Sequence, residues 1–313
     1  MPPAKSNTRG ALLALLAFAI YATHDVVVKK LGGTYSPVQI IFFATLLGFP
    51  LATLMLMRDR TDGNLRPRHP WWTLIRTVCI VTTALCAFYA FSVLPLAQTY
   101  AILFTMPLLV TLFAIPLLQE KIGLHRGVAI VLGLAGVLIV LRPGAEPLSL
   151  GHVAALLAAL TSSLASVIVR KIGTNERSVV LMLYPMVANF FVLGCALPAV
   201  YRPMPLMDLA LMGVIAAFGF IAMLMTIAAY RMAEAVVVAP MQYSQMIWAA
   251  VFGWLIFGEA ADLWTWVGAA VIMASGLYIV GRESRRNVSE NRPASQTRAR
   301  PEMGLMPRLL RRH

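Results

Sequence analysis

The chain is predicted to be an all-α integral membrane protein: ten transmembrane helices as two inverted five-helix repeats, both termini cytoplasmic. Three observations predict this. The 313 residues are 59% hydrophobic and 12% charged, whereas a soluble domain carries about 25% charged residues. Apolar stretches of roughly 20 residues, the length that crosses a bilayer core, recur along almost the whole sequence. The sequence also contains itself twice. GALLALLAFAIYATHDVVVKKLG at 10–32 aligns without a gap on GHVAALLAALTSSLASVIVRKIG at 151–173, at an offset of 141. A second echo sets GVAIVLGLAGVLIVLR, ending at Arg142, over VGAAVIMASGLYIVGR, ending at Arg282, with Gly136 over Gly276. A duplicated hydrophobic half is the pattern of a secondary transporter.

The spans read in order as follows. The first, 11–30, follows Lys5 and Arg9 but is too long for a signal-peptide core, and it matches the sixth, which lies mid-chain. The second is 38–57. The third, 71–93, and the fourth, 97–118, are joined only through Leu94-Pro95-Leu96, a tight hairpin. The fifth, 124–141, has small residues from Gly127 to Gly136. The sixth is 151–170, the seventh 178–199, the eighth 207–230 and the ninth 237–257. The tenth, 263–281, repeats the small-residue character from Gly268 to Gly276. Gly and Ala allow close helix contact where no water drives association. Pro107, Pro185 and Pro240 lie inside spans and should kink or open them, because each removes a backbone donor. The repeats are expected at 10–144 and 145–284, between an N-terminal tail at 1–9 and a basic, disordered cytoplasmic tail at 285–313.

Charge fixes the expected orientation. The net charge is +13, but the tail from Arg282 to His313 alone carries nine Arg and three Glu. The two tails and the even-numbered loops hold 21 Lys and Arg; the odd-numbered loops hold four, Lys29, Lys30, Arg142 and Arg202. That excess marks the cytoplasmic side. Five spans per half is an odd number, so the halves insert upside down relative to each other. Lys29-Lys30 then faces outward and the matching Arg170-Lys171 inward. No nucleic-acid partner is expected from cations distributed in this way. Cys79, Cys86 and Cys195 all fall within spans, and Cys79 and Cys86 are about 10 Å apart along one helix, too far for a disulfide. They read as packing residues. No metal spacing and no G-x-x-x-x-G-K-[ST] phosphate cradle is present. No cofactor is expected.

The run AFYAFSVLPLAQTYAILFTMPLLVTLFAIPLLQEKIGLHRGVAIVLGLAGVLIVLRPG at 87–144 resembles the EamA-type domain of the drug/metabolite transporter superfamily. The second half matches it through AYRMAEAVVVAP, MQYSQMIWAAVFGWLIFGE and GLYIVGRES. The resemblance covers roughly 10–284, and within the superfamily it looks nearest to the branch of S-adenosylmethionine and riboflavin carriers. It implies a central cavity lined by spans one to four and six to nine, with five and ten peripheral. The implied cargo is a small metabolite. That branch often carries an acidic residue after the Tyr-Ser pair of span nine, where this chain has Gln245. It often has Arg in span two, where this chain has Phe42-Phe43-Ala44.

Asp25 is the sharpest candidate. Counted from Ala11 it lies about 21 Å into span one, where an ionisable group is costly and functional by default. It could carry a proton or meet a cationic substrate group; the alternative is an ion pair with Lys29, one turn later. His24 is its neighbour but points about 100° away around the helix. Both are coupling candidates. Gln242, Tyr243, Gln245 and Trp248 of span nine offer amides and aromatic faces to a planar ligand. Tyr100 and Phe104 form an i,i+4 ridge in span four. Tyr21, Tyr89, Ser166 and Asn189 complete the substrate-cavity candidates, with helix packing as the alternative for each. Arg76, one turn inside span three, can snorkel to the surface. Glu120 and Glu259 match across the repeats and read as loop organisers.

The expected protein is a multi-pass secondary transporter of a bacterial-type inner membrane. It exchanges a small polar or heteroaromatic metabolite by alternating access, ion- or proton-coupled, with export favoured over import. A lipid-moving or non-transporting membrane protein is the alternative. A membrane-embedded enzyme would need clustered acids, bases or metal ligands that the spans lack. Spans five and ten could support a homodimer.

Overall fold

Within hydrocarbon each backbone N–H and C=O must be satisfied by its own segment, which leaves helices as the solution for stretches this apolar. The computed structural model describes residues 7–57, 65–120, 123–144, 148–173 and 176–285. The tail at 286–313, expected to be disordered, lies outside the described residues. Those described are all-helical. In order the helices are α1 (Asn7–Gly32), α2 (Pro37–Met57), α3 (Pro70–Val93), α4 (Leu96–Leu103), α5 (Met106–Leu118) and α6 (Leu124–Leu141). Then come α7 (Leu150–Ile172), α8 (Ser178–Val200), α9 (Leu206–Met232), α10 (Ala235–Met241), α11 (Ser244–Phe257) and α12 (Leu263–Arg285). Among the described residues eight helices are long and apolar enough to cross a membrane, α4 and α5 counting as one, and Pro37–Leu51 is a shorter apolar helix. Helix lengths repeat: three long helices, one of 8 residues, one of 13 and one of 18, then three long helices, one of 7, one of 14 and one of 23.

Of Pro107, Pro185 and Pro240, two sit at interruptions, while Pro50, Pro116 and Pro198 also lie inside helices. Between α4 and α5, Pro107 has no N–H for the preceding turn. The chain tightens into i→i+3 bonding there, with Thr105 N on Ile102 O at 3.1 Å. Between α10 and α11 the same happens after Pro240, where Tyr243 N meets Pro240 O at 3.1 Å. Pro185 lies within α8, which runs on without interruption.

The packing follows the repeat. α1 lies along α9 and α3 along α7, and α6 pairs with α12. Glycine permits the closest contacts. A Cβ at Gly10 would stand 2.3 Å from Ala233 Cβ, and one at Gly32 would stand 2.3 Å from Ser92 Cβ. At the α6–α12 crossing a Cβ on Gly268 would fall 2.7 Å from the carbonyl oxygen of Gly136. Backbone cannot swing aside as a side-chain tip does. Gly268→Leu should therefore force α6 and α12 apart and cost about 1–3 kcal/mol. Gly127→Leu, which meets nothing within 4 Å, should be neutral. Thermal unfolding of the two purified variants compares them directly, and equal melting would remove close packing as the reason for Gly268.

Helix ends place the repeat's two glutamates. α5 stops at Gln119 with φ 56° and α11 at Gly258 with φ 67°. These left-handed residues turn the next N–H back onto the helix. Glu120 N meets Ala114 O at 3.4 Å and Glu259 N meets Gly253 O at 2.9 Å, so each glutamate closes back on a helix carbonyl six positions earlier.

Candidate functional site

The Asp25 carboxylate is where the first half's polar groups converge. Its Oδ1 lies 2.7 Å from His24 Nδ1, and its Oδ2 accepts the hydroxyl proton of Tyr100 from α4. The buried Gln245 side chain, from α11, lies beside that hydroxyl. Tyr100 stands just before the α4–α5 interruption and Gln245 just after the α10–α11 one. The short helices thus bring two distant segments to one carboxylate. The His24 and Asp25 side chains are 14% and 13% exposed, enclosed without being sealed.

An aromatic wall backs this cluster. Phe91 and Tyr100 centroids are 5.3 Å apart, Tyr100 and Phe104 5.9 Å, and Phe104 and Tyr243 5.1 Å. His24 meets the edge of Phe88 at 6.0 Å and lies against Gly219 of α9, where a Cβ would be 3.7 Å away. Tyr21 shares the Asp25 face of α1 one turn earlier and packs on Phe18.

Other candidates stand apart. The Tyr243 hydroxyl enters a notch on α12, 2.2 Å from where a Cβ of Gly276 would be, so it is directed into packing. Trp248 does not share the buried face of Gln245: it is 37% exposed and stacks on Phe252. Tyr89 packs half-buried against the main core, and Gln242 is half-buried at the α10–α11 interruption. Ser166 is exposed to a cavity between α3 and α7 and donates to Ser162 O at 2.9 Å. Asn189 Oδ1 is buried with no partner among the described residues.

Lys29 is not the partner of Asp25. Its ammonium lies 2.8 Å from Glu259 Oε1, donates to Leu94 O at 2.5 Å and sits 5.3 Å from the Phe257 ring centroid. Glu259 Oε2 also accepts from Leu96 N at 3.3 Å. At the other end, Arg170 Nη2 meets Glu120 Oε1 at 2.5 Å, and Lys171 lies 4.3 Å from the Trp72 ring. Lys29 and Arg170 are equivalent at the offset of 141, and the two glutamates are also equivalent. Each half's glutamate therefore holds the other half's cation. The individual residues were legible; this exchange between halves was not, although the matched cation and glutamate pairs were its signal. Tyr35 donates to Asp208 Oδ2 at 2.6 Å, and that bond to the carboxylate raises its hydroxyl above the ordinary tyrosine range.

Among the described residues no cluster of three or more His, Cys, Asp or Glu could hold a metal. The three cysteines are free.

The comparisons agree with this architecture. One solved crystal structure superposes with a TM-score of 0.60 at 17% identity, over 90% of this chain and 100% of the other. The S-adenosylmethionine uptake transporter of Rickettsia bellii is 24% identical over 271 residues, 87% of this chain and 93% of its own. The riboflavin transporter of Brucella anthropi is 27% identical over 254 residues, 79% and 89% of the two chains. The pseudopaline exporter CntI of Pseudomonas aeruginosa is 26% identical over 271 residues, 85% and 94%. All are named as transporters, and none as an enzyme. The EamA-like transporter family matches residues 8–142 and again 149–281, and this multi-pass membrane chain belongs to that family.

Proposed function

We propose that this chain moves a small polar or heteroaromatic metabolite across a bacterial-type inner membrane by alternating access, coupled to protons or another ion. Ten spans as two inverted five-helix repeats, with both termini cytoplasmic, form the machine. Export is the direction we take first; the named relatives include both uptake transporters and an exporter.

The observation that carries the reading is the Asp25 cluster: an ionisable group within the bundle, bonded to Tyr100 and reached through Gln245 of the other half. A carboxylate at that depth is costly unless it is used. It can bind a proton or a cationic substrate group, and each neutralises it. The cross-paired ends support alternating access. Opening one end breaks one ion pair while the other can stay closed, which is how two equivalent halves exchange roles around a central site. The cargo is polar or heteroaromatic because aromatic faces and directional amides line the approach. A homodimer would need a surface other than the α6–α12 glycine contact, which is used within the chain.

Gln245→Ala should weaken substrate binding about tenfold, the worth of one lost hydrogen bond, with little change in melting. Transport kinetics in reconstituted vesicles measure the first and thermal unfolding the second; an unchanged KM would assign Gln245 to packing. The reading itself is tested by metabolite profiling of cells and spent medium from a deletion strain and an overproducer. A compound that builds up inside the deletion strain and outside the overproducer names an exported substrate. The reverse pattern names an imported one. No change in any small solute moves the function to lipids.

A further inference from the structure

A cavity of about 270 Å³ lies between α3 and α7, lined by Arg76, Ile80, Thr83, Ser162, Ser166 and their neighbours. Arg76, Ile80 and Thr83 share one face of α3 by their i, i+4, i+7 spacing. Among the described residues Arg76 is its only ionisable lining group. The guanidinium is fixed, because Nη1 donates to Leu181 O of α8. Its Nε is buried and has no partner. Among the described residues no carboxylate pairs with it. One neutral carbonyl does not compensate a cation at this depth.

The repeat gives this cavity its meaning. At the offset of 141, Ser162, Ala165 and Ser166 of α7 stand where Tyr21, His24 and Asp25 stand on α1. The face that carries the anionic cluster in one half lines this cavity in the other. Large side chains fill the first position. Small ones leave room at the second, and the facing helix supplies the opposite charge. The two places are separate. Gly32 meets Ser92 and His24 meets Phe88, so α1 and α3 run in the same direction. By these contacts Asp25 lies level with a point nine to thirteen residues past Arg76 on α3, which separates the two by about 13–20 Å along the helices at 1.5 Å per residue.

We propose that this cavity is an oxyanion site in which the Arg76 guanidinium that lines it takes a carboxylate-type group of a soluble anion, with Ser162 beside it. A planar guanidinium suits carboxylate oxygens; Nη1 is committed to Leu181 and Nε is enclosed, which leaves Nη2 to meet the anion. That the anion is a transported solute rests on the transport reading above; the site itself does not.

The test uses the full-length protein in phosphatidylcholine nanodiscs, free of anionic lipid. Phenylglyoxal modifies arginine, and mass spectrometry of the peptide that holds Arg76 reads the rate. Benzoate and inorganic phosphate are the probes, against chloride at equal ionic strength. A saturating probe should slow modification of Arg76 about tenfold while leaving the exposed Arg170 unaffected. Anion-induced thermal stabilisation should vanish in Arg76→Gln and be weakened in Arg76→Lys, which keeps the charge without the planar edge. Should Arg76→Gln fail to fold, Ser162→Ala and the protection assay carry the test. No protection by either probe overturns the proposal. So does protection that appears only when phosphatidylglycerol is added, since the occupant is then a lipid headgroup. Protection without solute transport keeps this site and removes the transport reading; transport without protection does the reverse.

Discussion

Asp25→Asn is expected to abolish net, ion-driven transport while sparing exchange of substrate for substrate. The carboxylate accepts the Tyr100 hydroxyl and lies 2.7 Å from His24 Nδ1. An amide keeps the shape and can still accept from Tyr100, so the bundle should fold. It cannot take up a proton or a cation, so the central site no longer changes charge between the two states. Hydrogen bonds to a charged group are worth about 1.5–3 kcal/mol, which sets the loss in net flux at about 10- to 100-fold. Exchange needs only that loaded carrier moves both ways, and loaded carrier is the same neutral assembly in the variant if the driver is a proton. The measurement is flux into proteoliposomes with and without an imposed pH gradient, alongside counterflow at equal pH. Net transport that keeps its pH dependence in Asp25→Asn would take Asp25 out of coupling. Tyr100→Phe separates the two roles of the site. It removes one hydrogen bond to the carboxylate but no titratable proton site in the physiological range, so substrate affinity should fall while the response to the gradient remains.

Much of this site could be read before folding, and the unread part has a specific cause. Asp25, Tyr100 and Gln245 are polar residues in apolar surroundings, and the cost of burying them singles each out. Their meeting depends on which way two interrupted helices turn. Pro107 and Pro240 signalled the interruptions; Pro185, chemically identical, produced none, because α8 carries on through it. The pairing of Asp25 with Lys29 was reasonable at i,i+4 spacing, yet tertiary contact won. Lys29 found a carboxylate, a carbonyl and an aromatic face at once, more than a single helical neighbour offers. Trp248 was grouped with Gln245 as ligand-facing, but a three-residue step leaves about 60° of rotation, and in the structure Gln245 is buried while Trp248 is exposed. Arg76 was read as snorkelling from its depth alone; the sequence did not show that its Nη1 donates to the carbonyl of Leu181, 105 residues away in the first turn of α8.

The two cross-repeat ion pairs should differ sharply in what their loss costs, although sequence makes them equivalents. Lys29 is 9% exposed and Glu259 25%, whereas Arg170 is 36% exposed and Glu120 16%. Removing one partner from a buried pair leaves an uncompensated charge and costs about 3–5 kcal/mol. A pair near water costs about 0–1 kcal/mol. The charge left behind sets the cost: Glu259→Gln strands Lys29, 9% exposed, and should lower the melting temperature by several degrees, whereas Glu120→Gln strands Arg170, 36% exposed, and should hardly lower it. Glutamine keeps the shape of either side chain, so packing is not the variable. The expected loss at Lys29 is toward the low end of its range, because its ammonium still donates to Leu94 O and faces the Phe257 ring. The charge-swapped pair Lys29→Glu with Glu259→Lys should recover part of the stability; its failure would show that Leu94 O and the Phe257 ring, rather than the carboxylate, hold Lys29. The same difference makes a functional statement. A transporter that alternates must open each end in turn, and the end that is better closed in this conformation is the one at Lys29. Weakening that end should shift the equilibrium toward states open there, while weakening Arg170–Glu120 should reinforce the present one. Cysteines introduced at the two ends, and labelled with a membrane-impermeant maleimide from each side of sealed vesicles, read this directly. Lys29→Met should raise labelling near Leu94 and lower it near Leu117. Equal change at both ends would mean the pairs brace the fold without gating it.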